Sequence, residues 1–283
     1  RSGSNIHREG VFDHTAAMLH PAKWVMKLRE LCLKKKIEIY EGTPVLSFSR
    51  TDPVRIQTPQ GEIIAKKLVI ANNAWAAAIP ELARAIVPIT SDMIMSEPAS
   101  EKIFKSGWTG GEGITDSQTM VDYYQVTKDQ RVAFGKGGWG IAFGGRLGRN
   151  FDRNQARAKI VEKDFRRYYP NLKDIKITHD WCGPIDRTPN SLPLLGSFPK
   201  HPQILYGVGW SGNGVGPSGV GGRILAAMAL EQKNQWSEYP LIGKSVGSFP
   251  PEPIRYVGAH FVRGAVATKE RYAVSYTHLT LPT

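Results

Sequence analysis

The chain has 283 residues, 41% hydrophobic and 10% aromatic, and a formal net charge of +12. That length and apolar content are enough for a substantial core in one or two domains and exclude an intrinsically disordered chain. No apolar run reaches the length of a membrane span, no secretory leader is read at the start, and the basic residues are scattered among acids, which argues against a nucleic-acid partner.

In chain order, Pro21 marks a helix start, and Trp24, Val25, Leu28, Leu31 and Cys32 recur at helical spacing. The spacing predicts an amphipathic helix ending near Lys36, with the Lys34–Lys36 run in solvent and Cys32 in the core. His14 and His20, at the helix entry, read as surface or capping residues. "IEIYEGTPVLSFS" predicts strand, turn and strand, and "VRIQTPQGEIIAKKLVIANNAW" predicts a hairpin turning at Pro59 and Gly61 before a buried strand over Leu68–Ala71. From Ile86 to Lys136 the texture is β-rich, with Tyr123, Gln125 and Thr127 alternating with apolar neighbours ahead of a Lys128-Asp129 turn. A basic helix over Asn154–Tyr169 stops at Pro170, and "ITHDW" is a further strand. The two cysteines, Cys32 and Cys182, suit a reducing compartment and hence the cytoplasm.

The last periodic territory is "LYGVGWSGNGVGPSGVGGRILAAMAL": a strand over Ile204–Val208, a loop, and a helix over about Gly219–Leu230, with six glycines from Gly207 to Gly219. Glycine lets a backbone approach a flat or charged ligand, and the helix start leaves N–H groups unpaired, so the loop reads as a seat for something anionic or electron-rich. The alternative is a tight strand-to-helix turn. No Gly-Lys-Ser/Thr run makes a P-loop. Gly207, Gly209 and Gly212 match G-x-G-x-x-G, but no second strand with a ribose-binding acid follows them. The order α/β, β-rich, α/β predicts two domains interwoven in sequence.

Three stretches in order, "KLVIANNAW", "DRTPNSLPLLG" and "YGVGWSGNGVGPSGVGGRILA", resemble the FAD-dependent amine and amino acid oxidoreductases of the D-amino acid oxidase, glycine oxidase and sarcosine oxidase superfamily. The resemblance covers most of Glu9 to Leu230 and implies an α/β, glutathione-reductase-like FAD-binding domain interwoven with an antiparallel-sheet substrate domain. On that reading, residues 1–20 and 76–185 belong to the substrate domain and 21–75 and 186–232 to the FAD domain. Residues 233–273 form a C-terminal extension and 274–283 a non-native tail. The family's N-terminal dinucleotide-binding element is expected upstream of Arg1. "FPPEPIRYVGAHFVRGAVATKE" is similar to an extension in aminophosphonate- and gamma-glutamylputrescine-oxidase-like proteins.

The resemblance implies FAD as cofactor and assigns its contacts. Val45, Ala71, Asn72, Asn73 and Trp75 fall at the adenosine portion, and Gly209, Trp210, Ser211, Gly212, Asn213, Gly214 and Val215 at the isoalloxazine ring. The implied chemistry is hydride transfer from the carbon beside an amine to FAD, imine hydrolysis, and reoxidation by oxygen or an electron carrier. The amides of Gly212, Asn213, Gly214 and Val215 would then stabilise charge on the reduced ring. Arg187 reads either as a bidentate partner for an acidic group on a small amine substrate or as an ion pair with Asp186. Tyr123 and Tyr124 read as pocket walls or as packing, and Lys136 as a charge beside the flavin or a solvated loop residue. Cys182 is one residue out of register for a covalent flavin link, and no metal site is assigned. The rival reading is a truncated, cofactor-free domain without catalysis of its own.

Overall fold

The computed structural model describes residues 2–7, 9–109 and 111–279, with side chains described as far as Glu270. Two compact units emerge, one formed by His7–Leu68 and the other by the residues up to Ile6 together with those from Val69 on.

In the smaller unit, Pro21 opens α1 (Pro21–Lys34), and the His20 ring caps it by accepting the Lys23 N–H at 3.5 Å. α1 buries none of its residues, and Cys32 is only half-buried, which corrects its assignment to a core. The side chains of this unit do not cover the apolar face of α1 that carries Trp24, Leu28 and Leu31, all of them exposed. Nor does the strand expected at Ile37–Tyr40 form, because no strand of the unit pairs with it. The hairpin does form. β1 (Ser47–Phe48), β2 (Val54–Thr58) and β3 (Gly61–Ala65) pair antiparallel, with Val54 and Ile56 alternating inward. Gly61, at φ +147°, closes the turn, and the Thr58 hydroxyl donates to its carbonyl at 2.8 Å.

The larger unit is built on an antiparallel sheet in the order β6-β7-β8-β5-β9, from β5 (Val87–Ser96), β6 (Ile114–Thr115), β7 (Asp122–Val126), β8 (Val132–Ile141) and β9 (Ile177–Arg187). One face is covered by α3 (Gln155–Tyr168), whose N-cap Asn154 accepts the Arg157 N–H at 3.0 Å. Val161, Phe165 and Tyr168 of α3 and Ile103 of α2 (Ser100–Lys105) pack there with Ile94, Tyr124, Val132 and Phe134. The Tyr124 and Phe134 rings stack at 4.8 Å.

Strand alternation sends the neighbours of these core residues to the opposite, open face. The register places Tyr123 beside Gly135, Gly135 beside Met93, and Met93 beside Trp181. One step along, Gly137, Ser91 and Gly183 follow in the same way.

A second sheet, in the order β10-β11-β4, joins β4 (Leu68–Ile70) to β10 (Leu194–Phe198) and β11 (His201–Val208). α4 (Pro217–Ala229) packs Ile224 and Leu225 against Leu195 and Leu205. A final helix, α5 (Ile254–Leu279), is fastened through its polar groups: Arg255 donates to the Ala83 carbonyl at 2.5 Å and Arg263 to that of Trp139 at 2.7 Å, while Glu270 accepts the Met120 N–H at 3.0 Å. The helix carries the backbone through the first part of the expected tail, and residues 280–283 of that tail lie outside the described residues. No helix among the described residues is long and apolar enough to cross a membrane.

Candidate active site

The glycine loop lies between β11 and α4. Leaving Val208, the chain passes through Gly209 at φ +80°, Ser211 at φ +54° and Gly212 at φ +93°, a run of left-handed conformations that glycine adopts without strain. A side chain at Gly209 would also run into Thr188, with its Cβ 2.5 Å from Thr188 Cγ2. Two neighbours on β9 and just after it hold the loop. The buried Asp186 carboxylate accepts the Gly209 N–H at 2.5 Å, and the Asp186 backbone carbonyl accepts the Ser211 N–H at 3.3 Å. The buried Ser211 hydroxyl accepts the Thr188 N–H at 3.1 Å. Burial pushes the Asp186 carboxyl above the usual range, and these amides pull against that rise.

Beyond Ser211 the loop changes character. The Asn213 N–H closes a turn on the Trp210 carbonyl at 2.9 Å. The N–H groups of Gly212, Gly214 and Val215 have no partner among the described residues, and they precede Pro217 at the start of the 13-residue α4. Of the four amides expected to face a ligand, Asn213 is therefore spent internally. The Trp210 ring lies against Gly214 and Gly221; a Cβ at Gly214 would sit 3.1 Å from Trp210 Cβ and one at Gly221 2.5 Å from Trp210 Cη2.

The loop reaches the open face of the large sheet at Ile185, whose Cδ1 lies 3.4 Å from where a Cβ on Gly212 would be. From there the floor is glycine: Gly183 and Gly137 flank Ser91, and Gly135 lets Met93 and Tyr123 lie across it. The Tyr123 and Ser91 hydroxyls share a hydrogen bond, and burial raises the Tyr123 phenol. Arg187 follows Ile185 on the same side of β9, half-buried, and its guanidinium has no hydrogen-bond or ion-pair partner among the described residues. The carboxylates of these strands all sit at the opposite positions: Asp92 with Arg157 (2.8 Å), Asp122 with Lys136 (2.9 Å), Asp180 with Arg153 (2.6 Å) and Asp186 with the loop.

Two candidate residues lie elsewhere. Tyr124 faces α3 in the aromatic core, because its neighbour Tyr123 takes the open side. Lys136 is buried on that same α3 side, 2.9 Å from Asp122 and 3.2 Å from Asp164. Burial alone would depress its ammonium, but the two carboxylates outweigh it and hold it above the usual lysine value. The position after Gly135 in β8 thus points a cation into the core, away from any ligand on the open face. Cys182 is on this side too, its sulfur 3.3 Å from an Arg157 nitrogen and its thiol pushed up by burial.

Ala71 and Asn72 lead into a short 3-10 helix, Asn73–Ala78, on which Trp75 is exposed, and the Asn73 amide donates to the Pro184 carbonyl at 3.2 Å. That bond ties the first of the three distinctive stretches to β9 just ahead of the second, and Asp186 and Thr188 tie the second to the third. Val45 is exposed in the smaller unit. Asp186, Thr188, Ser91 and Ile185 are the residues a reading of the sequence passes over. The signal for Asp186 was its place two residues before Thr-Pro, ahead of a loop rich in unpaired amides.

Comparison with known proteins agrees with this geometry. The model of a family described as DAO, FAD dependent oxidoreductase, matches residues 2–228. The probable oxidoreductase OrdL of Haemophilus influenzae is 30% identical over 234 residues, 81% of this chain and 51% of that protein. Gamma-glutamylputrescine oxidoreductase of Escherichia coli is 27% identical over 227 residues, 80% of this chain and 51% of that protein. Among solved structures, glycine oxidase from Geobacillus kaustophilus superposes with a TM-score of 0.58 at 19% identity, over 72% of this chain and 52% of that one. L-Proline dehydrogenase from P. horikoshii gives 0.60 at 20%, over 78% and 57%. The chain spans about half the length of the curated relatives it matches.

Proposed function

Because this chain belongs to the DAO family of FAD dependent oxidoreductases, we propose that its glycine loop seats the flavin ring and that the enzyme oxidises the C–N bond of a small amine bearing an acidic group. The observation that carries the reading is that the amides of Gly212, Gly214 and Val215, just ahead of α4, have no partner among the described residues, on a loop that meets the open sheet face at Ile185. Such a cradle fits a flat, electron-rich edge, because glycine permits contact and the helix start supplies a positive field. Gly209, Trp210, Ser211 and Asn213 shape that cradle, and Ala71, Asn72, Asn73 and Trp75 are assigned to the adenosine portion. When bound, FAD supplies the two-electron oxidation, and oxygen or an electron carrier returns it to the oxidised state.

The chain's own residues then divide the work. Arg187 binds the acidic group of the substrate, which its freedom from any internal acid supports. Tyr123, its phenol held neutral by burial, and Ser91 orient the amine without adding charge. Met93, Ile185 and Trp181 exclude water. The absence of a carboxylate from the open-face positions of β5, β7, β8 and β9 favours an anionic ligand and leaves the amine no buried counter-ion to hold it protonated. Residues 21–75 and 186–232 are read as parts of the FAD-binding domain, and 1–20 and 76–185 as the substrate domain carrying the 233–273 extension. The two free cysteines suit the cytoplasm.

The test is anaerobic bleaching of the flavin in the full-length reading frame, screened over amines with and without a carboxylate or phosphonate. Bleaching by acidic amines and peroxide on reoxidation are expected of an oxidase; a protein that binds no FAD would overturn the reading. Two further outcomes are expected. Acid precipitation should leave the flavin in the supernatant, because Cys182 is buried on the α3 side with a thiol pushed up in pKa; flavin in the pellet would show a covalent bond. Gly214→Val should weaken FAD binding about tenfold or more in a fluorescence titration, since a branched side chain would crowd Trp210 and push the outward amides back. Unchanged affinity would place the ring elsewhere.

A further inference from the structure

Resting on the flavin reading above, we infer that Asp186 is the positioning residue of the site: its buried carboxylate takes the Gly209 N–H at 2.5 Å and its backbone carbonyl the Ser211 N–H at 3.3 Å, and so it turns the amides of Gly212, Gly214 and Val215 outward, toward the ligand. A carboxylate that is 1% exposed normally has a cation beside it, yet none pairs with Asp186, whose neighbour Arg187 lies on the other side of the strand. Its carboxylate is met instead by the backbone N–H of Gly209, a contact that stabilises an anion without a counter-charge. Positive φ values at Gly209, Ser211 and Gly212 bend the path within this short stretch, and the amides of Gly212, Gly214 and Val215 that follow have no partner among the described residues. Thr188 contributes a second tether through the Ser211 hydroxyl, but a neutral one at a single residue.

The experiment compares the full-length protein with Asp186→Asn. Asparagine keeps the shape and one acceptor oxygen but loses the charge and puts an NH2 donor in place of the other oxygen. Two readouts besides turnover are used: the FAD dissociation constant of the apoprotein, and the affinity of the bound flavin for sulfite, whose adduct places negative charge on the ring edge that the outward amides would face. Asp186→Asn is expected to weaken FAD binding about 10- to 100-fold, the range for lost hydrogen bonds to a charged acceptor, and to weaken sulfite at least tenfold. Should Asp186→Asn match the unmodified protein in both readouts, the inference fails while the flavin reading stands. Should the unmodified protein bind no FAD, the flavin reading itself fails and takes the inference with it. If the variant does not fold, amide exchange on the unmodified protein decides: protection of Gly209 and Ser211 with or without FAD, and of Gly212, Gly214 and Val215 only with FAD, supports the assignment. A uniform response across the loop overturns it.

Discussion

Lys136→Met should destabilise the larger unit by about 3–5 kcal/mol, the cost of removing one partner from a buried ion pair. Lys136 is 4% exposed at its side chain and is shared between Asp122, which is fully buried, and Asp164 on α3. Methionine fills the same volume but leaves two carboxylates facing each other. Burial already pushes Asp122 up to about 6, against the pull of Lys136, and losing the lysine raises it further. The sign of the pH dependence follows. A carboxyl whose folded pKa lies above its unfolded value costs nothing while protonated and progressively more as the pH rises through the folded value. The deficit of the variant should therefore be smallest near pH 4 and grow through pH 6 and beyond, and adding Asp122→Asn should recover part of it. Urea unfolding at several pH values measures this. A variant within about 1 kcal/mol of the parent at pH 7, but slow to react with oxygen, would return Lys136 to the flavin.

The fate of Lys136 also shows what was legible in the sequence. The helix α3, the Thr58–Gly61 hairpin and the strand-loop-helix at Gly209–Pro217 were readable because each carries its own local signal: a 3.6-residue apolar stripe with an Asn cap, a Pro-Gln-Gly turn, a glycine run ahead of an apolar helix. The side a residue faces was not readable. Tyr123 and Tyr124 are adjacent and chemically alike, and only the register with Gly135 and Phe134 and the choice of α3 as the covering layer send one to the open face and the other to the core. The same long-range choice buries Lys136 against an acid 28 residues further on. Asp186 is the sharpest case, since its partners lie 23 residues downstream and are backbone groups, which leave no mark in side-chain chemistry. The expected strand at Ile37–Tyr40 had the right alternation and no partner strand in its unit, and alternation without a ladder leaves backbone groups to the solvent.

Arg187→Ala is expected to lower kcat/KM on amines carrying a carboxylate or phosphonate by about 2–5 kcal/mol, roughly 30- to 5,000-fold, and to change it little on neutral amines. The range is that for truncating one partner of a desolvated charge pair. It applies here because the guanidinium is half-buried, lies one alternation step from Ile185 at the rim of the glycine loop, and meets no acid of the chain among the described residues. Its one sequence neighbour of opposite charge, Asp186, is engaged by the loop amides instead. A cation left without an internal partner in such a place gains most from an anionic ligand, and a planar fork suits carboxylate oxygens better than a point charge does. Arg187→Lys separates the two contributions: it keeps the charge, so it should restore long-range attraction but not the paired hydrogen bonds, and should fall between alanine and the parent. Steady-state kinetics on matched acidic and neutral amines decides the matter. Equal losses on both substrates would make Arg187 a structural residue, and with it the preference for an acidic amine would go.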